Sequence, residues 1–147
     1  MSDESVAAAL NALLAAEQRA IAPRLFESTV FVSNASVTVA QLARRLASVS
    51  RSNQQALADQ VISLGGVPAL RRGDARSADL HYQELRAIVP RLVADYGRLV
   101  EQYRTAGPRV ASDPASSALV ARLLAVLDQE LQALKDLGGA SHMRVAK

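Results

Sequence analysis

Apolar residues at Val6, Leu10, Leu13, Leu14, Ile21 and Leu25 recur at steps of three and four, the spacing that lines one face of an α-helix. The pattern predicts a first helix from Asp3 to Val32, with a kink where Pro23 removes a backbone hydrogen bond. A second stripe, Leu42, Leu46, Val49, Ala56, Leu57, Val61 and Leu64, follows a capping box of Thr38 and Gln41 flanked by Val37 and Leu42. Gly65-Gly66 offers a left-handed stop and Pro68 bars continuation.

The segment from Gly65 to about Ser77 is rich in Gly, Arg and Asp, and when extended it could cover about 40 Å, enough for a long crossover between helices 2 and 3. A third helix is expected to run to about Ala106, with Leu85, Val89, Leu92, Tyr96, Leu99, Val100 and Tyr103 inward, a distortion at Pro90 and an end at Gly107-Pro108. Asp113-Pro114 opens a fourth, an N-cap carboxylate followed by proline at the first helical position. Its stripe of Leu119, Leu123, Leu127, Leu134 and Leu137 should close at Gly138-Gly139, leaving a short flexible tail over 140–147. Four amphipathic helices without a strand pattern make an all-α four-helix bundle, and 147 residues suit one domain spanning 1–147.

Composition narrows the chemistry. With no cysteine, thiolate metal sites, redox pairs and Cys nucleophiles are excluded, and two histidines, His81 and His142, cannot build a multi-His site within one chain. No apolar run is long enough for a membrane span and the N-terminus lacks a basic, hydrophobic leader, so the expected location is the cytoplasm. The net charge is +3, with arginines scattered along the chain and no polybasic tail, which disfavours nucleic acid as the partner.

Glu17 lies in the middle of the first apolar stripe, where a carboxylate must be paired, hydrogen-bonded, protonated or metal-bound. If the first two helices form an antiparallel hairpin, Asn53 should share its layer, with Ser50 one turn away; the expected donor is Asn53 or Tyr96. Glu130 stands at the edge of the last stripe, able to reach solvent, and the hydroxyls of Tyr96 and Tyr103 are expected at the rim of the core.

The run Leu10-Asn11-Ala12-Leu13-Leu14, then Glu17 and Ala20-Ile21, resembles the first helix of bacterioferritin-like proteins, and Leu64-Gly65-Gly66-Val67-Pro68 resembles a helix ending common in the ferritin-like superfamily. The resemblance covers residues 10–26 and 46–70 and extends more loosely over 119–138. It implies a ferritin-like bundle in which Glu17 matches the first iron-ligating glutamate. The first Glu-x-x-His pair would then fall on Ser50 and Asn53, the second on Val120 and Leu123, and the third-helix carboxylate on Val89, while the haem-ligating methionine would fall on Arg51. With only Glu17 left of the set, the resemblance implies a degenerate metal site, no metal and no cofactor.

Three functions follow as expectations. The first is a non-catalytic bundle acting by association, as a homodimer or with a protein partner, through an outward apolar patch at Phe26 and Val30. The second is an iron-handling protein with a non-standard or inter-subunit site using carboxylates such as Glu27, Asp59 or Glu84. The third is a Dps-like DNA-binding protein.

Overall fold

In a computed structural model, which describes residues 2–20, 37–69 and 85–145, four α-helices pack into a bundle: α1 (Asp3–Arg19), α2 (Val37–Ser63), α3 (Leu85–Val110) and α4 (Pro114–Val145). No strand occurs among the described residues. The core is aliphatic, built on Leu10, Leu13, Leu14, Leu46, Leu57, Leu92, Leu123, Leu127 and Leu134, with Tyr96 and Tyr103 its largest side chains. Each buried leucine contributes about 1.5–3 kcal/mol relative to exposure.

Side-chain pairs fix the helix directions. Ala7 lies against Gly66 while Glu17 meets Ser50 and Asn53, so α1 and α2 are antiparallel. Gln60 meets Ser116 while Arg45 meets Glu130, so α2 and α4 are antiparallel. Val89 lies against Gly138 while Arg104 meets Asp128, so α3 and α4 are antiparallel as well. Consequently α2 and α3 run parallel and both finish at the same end. α1 packs on α2 and α3, and α4 packs on the same two from the other side.

After α2 the chain turns back along α1. Gly65 adopts φ +82°, and the N–H groups of Gly65 and Gly66 bond to the carbonyls of Ile62 and Val61, a Schellman ending. A Cβ on Gly66 would sit 3.0 Å from Val61 Cγ1 and 3.3 Å from the Ala7 side chain, so glycine lets the backbone pass here. Asn11 then holds Val67–Ala69 by donating to the Val67 carbonyl at 2.9 Å and accepting from the Ala69 N–H at 2.8 Å. Gln18 donates to the Ala69 carbonyl at 2.9 Å, one step nearer the C-terminus of α1. The onward path through 70–84 lies outside the described residues.

Three boundaries differ from the sequence expectation. The first helix stops at Arg19 rather than Val32: Ala20 is extended (φ −60°, ψ 149°), and its N–H caps the Glu17 carbonyl. Pro23 follows closely, and a proline ring clashes with the carbonyl four residues back, so a stop upstream of it relieves that clash. The third helix passes through Gly107-Pro108 to Val110, because Ala106 and Val110 are buried and hold the last turn on the core. The fourth passes through Gly138-Gly139 to Val145, so the expected flexible tail is largely helix. Gly138 packs against Val89 without a positive φ; a glycine in a helix costs only about 1 kcal/mol and need not end it.

Helix starts follow local chemistry. Ser2 caps α1 by accepting from the Ser5 N–H, and Asp3 and Glu4 complement the positive end of the helix dipole. Asp113 caps α4 by accepting from the Ser116 N–H at 3.0 Å, with Pro114 at the first position; it also binds the Ser116 hydroxyl. The side chains of Thr38, from the expected capping box, and Val37, from the expected staple, lie outside the described residues; the helix itself is already under way at Val37, one residue before the expected cap.

Candidate functional site: a buried carboxylate between three helices

Glu17 is completely buried on the last turn of α1. Three neutral donors from two other helices converge on it: Ser50 Oγ donates to Oε2 at 2.8 Å, Asn53 Nδ2 to Oε1 at 3.1 Å, and Tyr103 Oη to Oε1 at 2.9 Å. Ser50 in turn accepts from Gln54 Nε2 at 3.3 Å. The i, i+3 spacing of Ser50 and Asn53 puts both on the face of α2 that looks at α1.

The electrostatics are set by depth. Burial raises the Glu17 pKa above the ordinary carboxylate value; the bonds from Asn53, Ser50 and Tyr103 oppose that shift, and the Asp95 carboxylate adds to it. Tyr96 and Tyr103 are both raised well above an ordinary phenol, first by burial and then by the Glu17 charge, so both hydroxyls stay protonated at any physiological pH. No cation bonds to Glu17 among the described residues. As a chemical device the cluster is a fixed, fully buried acceptor surrounded by neutral donors.

Of the two donors expected for Glu17, Asn53 is present and Tyr96 is not. The tyrosine is Tyr103, two turns further along α3, and its hydroxyl lies at the centre of the bundle rather than at the rim. The hydroxyl of Tyr96 is also buried, and it has no hydrogen bond among the described residues. Without a register for α3 against α1, the sequence offered two tyrosines on one stripe and no means of choosing between them.

A second buried carboxylate went unread as such. Glu130, expected to reach solvent from an edge, is 8% exposed and accepts from Arg45 Nε and Nη2 at 3.2 and 2.9 Å. Arg45 was not singled out in the sequence, and the only signal for it is the antiparallel register of α2 and α4.

Val120 and Leu123 on α4 belong to the hydrophobic core, as does Val89 on α3, which lies near Gly138; none is a hydrogen-bond partner of Glu17. Arg51 is exposed, as is Asp59, which accepts from Gln55. Phe26, Val30, Glu27, Glu84 and His81 lie outside the described residues, as does the side chain of His142. Among the described residues no group of three or more His, Cys, Asp or Glu could hold a metal ion. A di-metal centre needs several anionic oxygens converging on hard cations, and one carboxylate facing a serine, an asparagine and a tyrosine does not fit it.

No described helix is long and apolar enough to cross a membrane. No family model matches the chain, and neither a curated protein nor a solved structure is significantly similar to it.

Proposed function

We propose that this chain is a non-catalytic, ferritin-like bundle of the cytoplasm that works by association, as a homodimer or as a partner-binding module. The observation that carries the reading is the Glu17 cluster: the buried carboxylate accepts from three neutral donors, Ser50, Asn53 and Tyr103, where a metal centre would need further anionic or imidazole ligands. The remaining positions where ligands would stand, Val120, Leu123 and Val89, are buried hydrocarbon. Parallel α2 and α3 fit the single-crossover arrangement of ferritin-like bundles. A scaffold kept while its site chemistry is gone acts through its surface.

Anaerobic ferrous titration followed by oxygen tests the reading. Oxidation no faster than in buffer is expected, and rapid oxidation at stoichiometric iron sinks it. Light scattering tests the dimer: a monomer at micromolar concentration ends that part of the reading, and an unchanged oligomer in Phe26→Asp moves the interface away from Phe26 and Val30.

A further inference from the structure

Two adjoining depressions run along the seam between α1 and α3. The first has an apolar floor of Ala9, Ala12, Leu13 and Ala106 and ends at Arg109. The second is more polar and includes Asp95 and Arg98. Arg19 and Gln102 border both, so they form one continuous groove, open to solvent along its length. From Asp95 to Arg109 the rise of α3 makes it roughly 20 Å long, near four helical turns.

Among the described residues the groove carries positive charge that no carboxylate pairs. Arg98 pairs with Asp95 at 3.5 Å, and Glu101 pairs with Arg104 at 2.6 Å. Arg19 gives its Nε to the Ala15 carbonyl of its own helix, and among the described residues neither Arg19 nor Arg109 has a carboxylate within ion-pair distance. Among the described residues, two guanidiniums thus stand along an apolar floor without a carboxylate partner.

Deepening the association reading above, on which it rests, we propose that the α1–α3 groove docks an acidic amphipathic helix of a partner protein. Shape selects a helix over a small molecule. Small ligands are bound where most of their surface is enclosed, and a groove open along its length leaves them wet; a helix needs only one face covered. The alanines of α1 leave little side chain in the way, so a partner helix can approach near the short end of the usual 8–10 Å interaxial range. Charge selects the polarity. Arg19 stands beside Gln102, and Arg109 lies seven residues further along α3, so the partner's carboxylates should be about two turns apart, at i and i+7.

The test uses the full chain and a fluorescent synthetic helix of about 18 residues, with leucine and alanine on one face and glutamates at i and i+7 beside it, and a sibling with lysines for the glutamates. Fluorescence anisotropy should show the glutamate peptide binding roughly tenfold or more tighter than the lysine peptide, with the preference reversed in Arg19→Glu/Arg109→Glu. The double variant Arg19→Gln/Arg109→Gln should lose the preference without reversal, and it serves if charge reversal impairs folding. No binding of either peptide, equal binding of both, or binding indifferent to the arginines overturns the groove assignment. So does tighter binding of phosphatidylglycerol vesicles that is lost in the same variants, which would make the groove a lipid contact. Failure here with slow ferrous oxidation removes the groove alone, whereas fast oxidation removes the non-catalytic reading and leaves the groove to stand on its own binding data.

Discussion

Among the described residues two carboxylates are buried, and the chain stabilises them by opposite means. Glu130, on α4, is held by the Arg45 guanidinium, whose side chain is 56% exposed and reaches in from the surface of α2. Glu17 is completely buried at the middle of the bundle and is held by a hydroxyl, an amide and a phenol. Depth accounts for the difference. A guanidinium near the surface keeps much of its hydration, so pairing it costs little; carrying one to the level of Glu17 would add a second desolvation penalty of several kcal/mol. Neutral donors avoid that penalty but leave the carboxylate's own desolvation only partly offset, and its pKa stays raised.

The comparison breaks first at Glu17 itself. Glu17→Ala would orphan three buried donors and open a cavity, and should lower the unfolding free energy by about 3–5 kcal/mol in urea denaturation. A loss below about 1 kcal/mol would mean that the donors find other partners and the cluster is not a unit. Tyr103→Phe is the milder cut, removing one donor with almost no change of volume, and should cost about 1–3 kcal/mol. The matching Tyr96→Phe should cost less, since its hydroxyl has no hydrogen-bond partner among the described residues; equal losses would place the critical phenol at Tyr96 after all.

How much of this was legible follows the same division. The leucine stripes gave the helices and their faces, since a period of three and four survives any choice of partner. Glu17 and Asn53 could be paired because a hairpin makes positions before and after the turn correspond. Tyr103 and Arg45 could not, because each belongs to a helix joined to its neighbour by a long or non-consecutive path, and sequence spacing carries no register across such a path. Boundaries failed where glycine and proline were read as stops: at Gly107-Pro108 and Gly138-Gly139 neighbouring residues still pack on the core, and tertiary burial outweighs local propensity.

The pH dependence sharpens the contrast. The Glu17 pKa is raised in the folded state above the unfolded value near 4.5, so the folded protein binds that proton more tightly. The contribution from this group is fully present below the unfolded pKa and is lost as pH rises through the folded pKa. Glu17→Gln keeps an acceptor for Asn53 and Tyr103 and offers its amide to Ser50, so it should fold and lack this decline. Urea midpoints of wild type and Glu17→Gln, measured from pH 4 upward, check it; parallel profiles would show that Glu17 contributes no such linkage.

The smallest effect is expected at the other carboxylate. Arg45→Ala removes a guanidinium that is more than half exposed, and exposed pairs of this kind are worth about 0.2–1 kcal/mol. Glu130 does not thereby become a buried orphan of the Glu17 type, because removing the arginine opens the path along which it reached in and lets water replace it. Salt separates the two outcomes. If Arg45 acts as a screened surface pair, the difference between wild type and Arg45→Ala should shrink as ionic strength rises and the Debye length falls from about 10 Å at 0.1 M to about 3 Å at 1 M. A loss of about 3 kcal/mol or more that ignores salt would instead put Glu130 in the same class as Glu17, a carboxylate stranded in the core, and the division by depth would fail at the place where it is easiest to test.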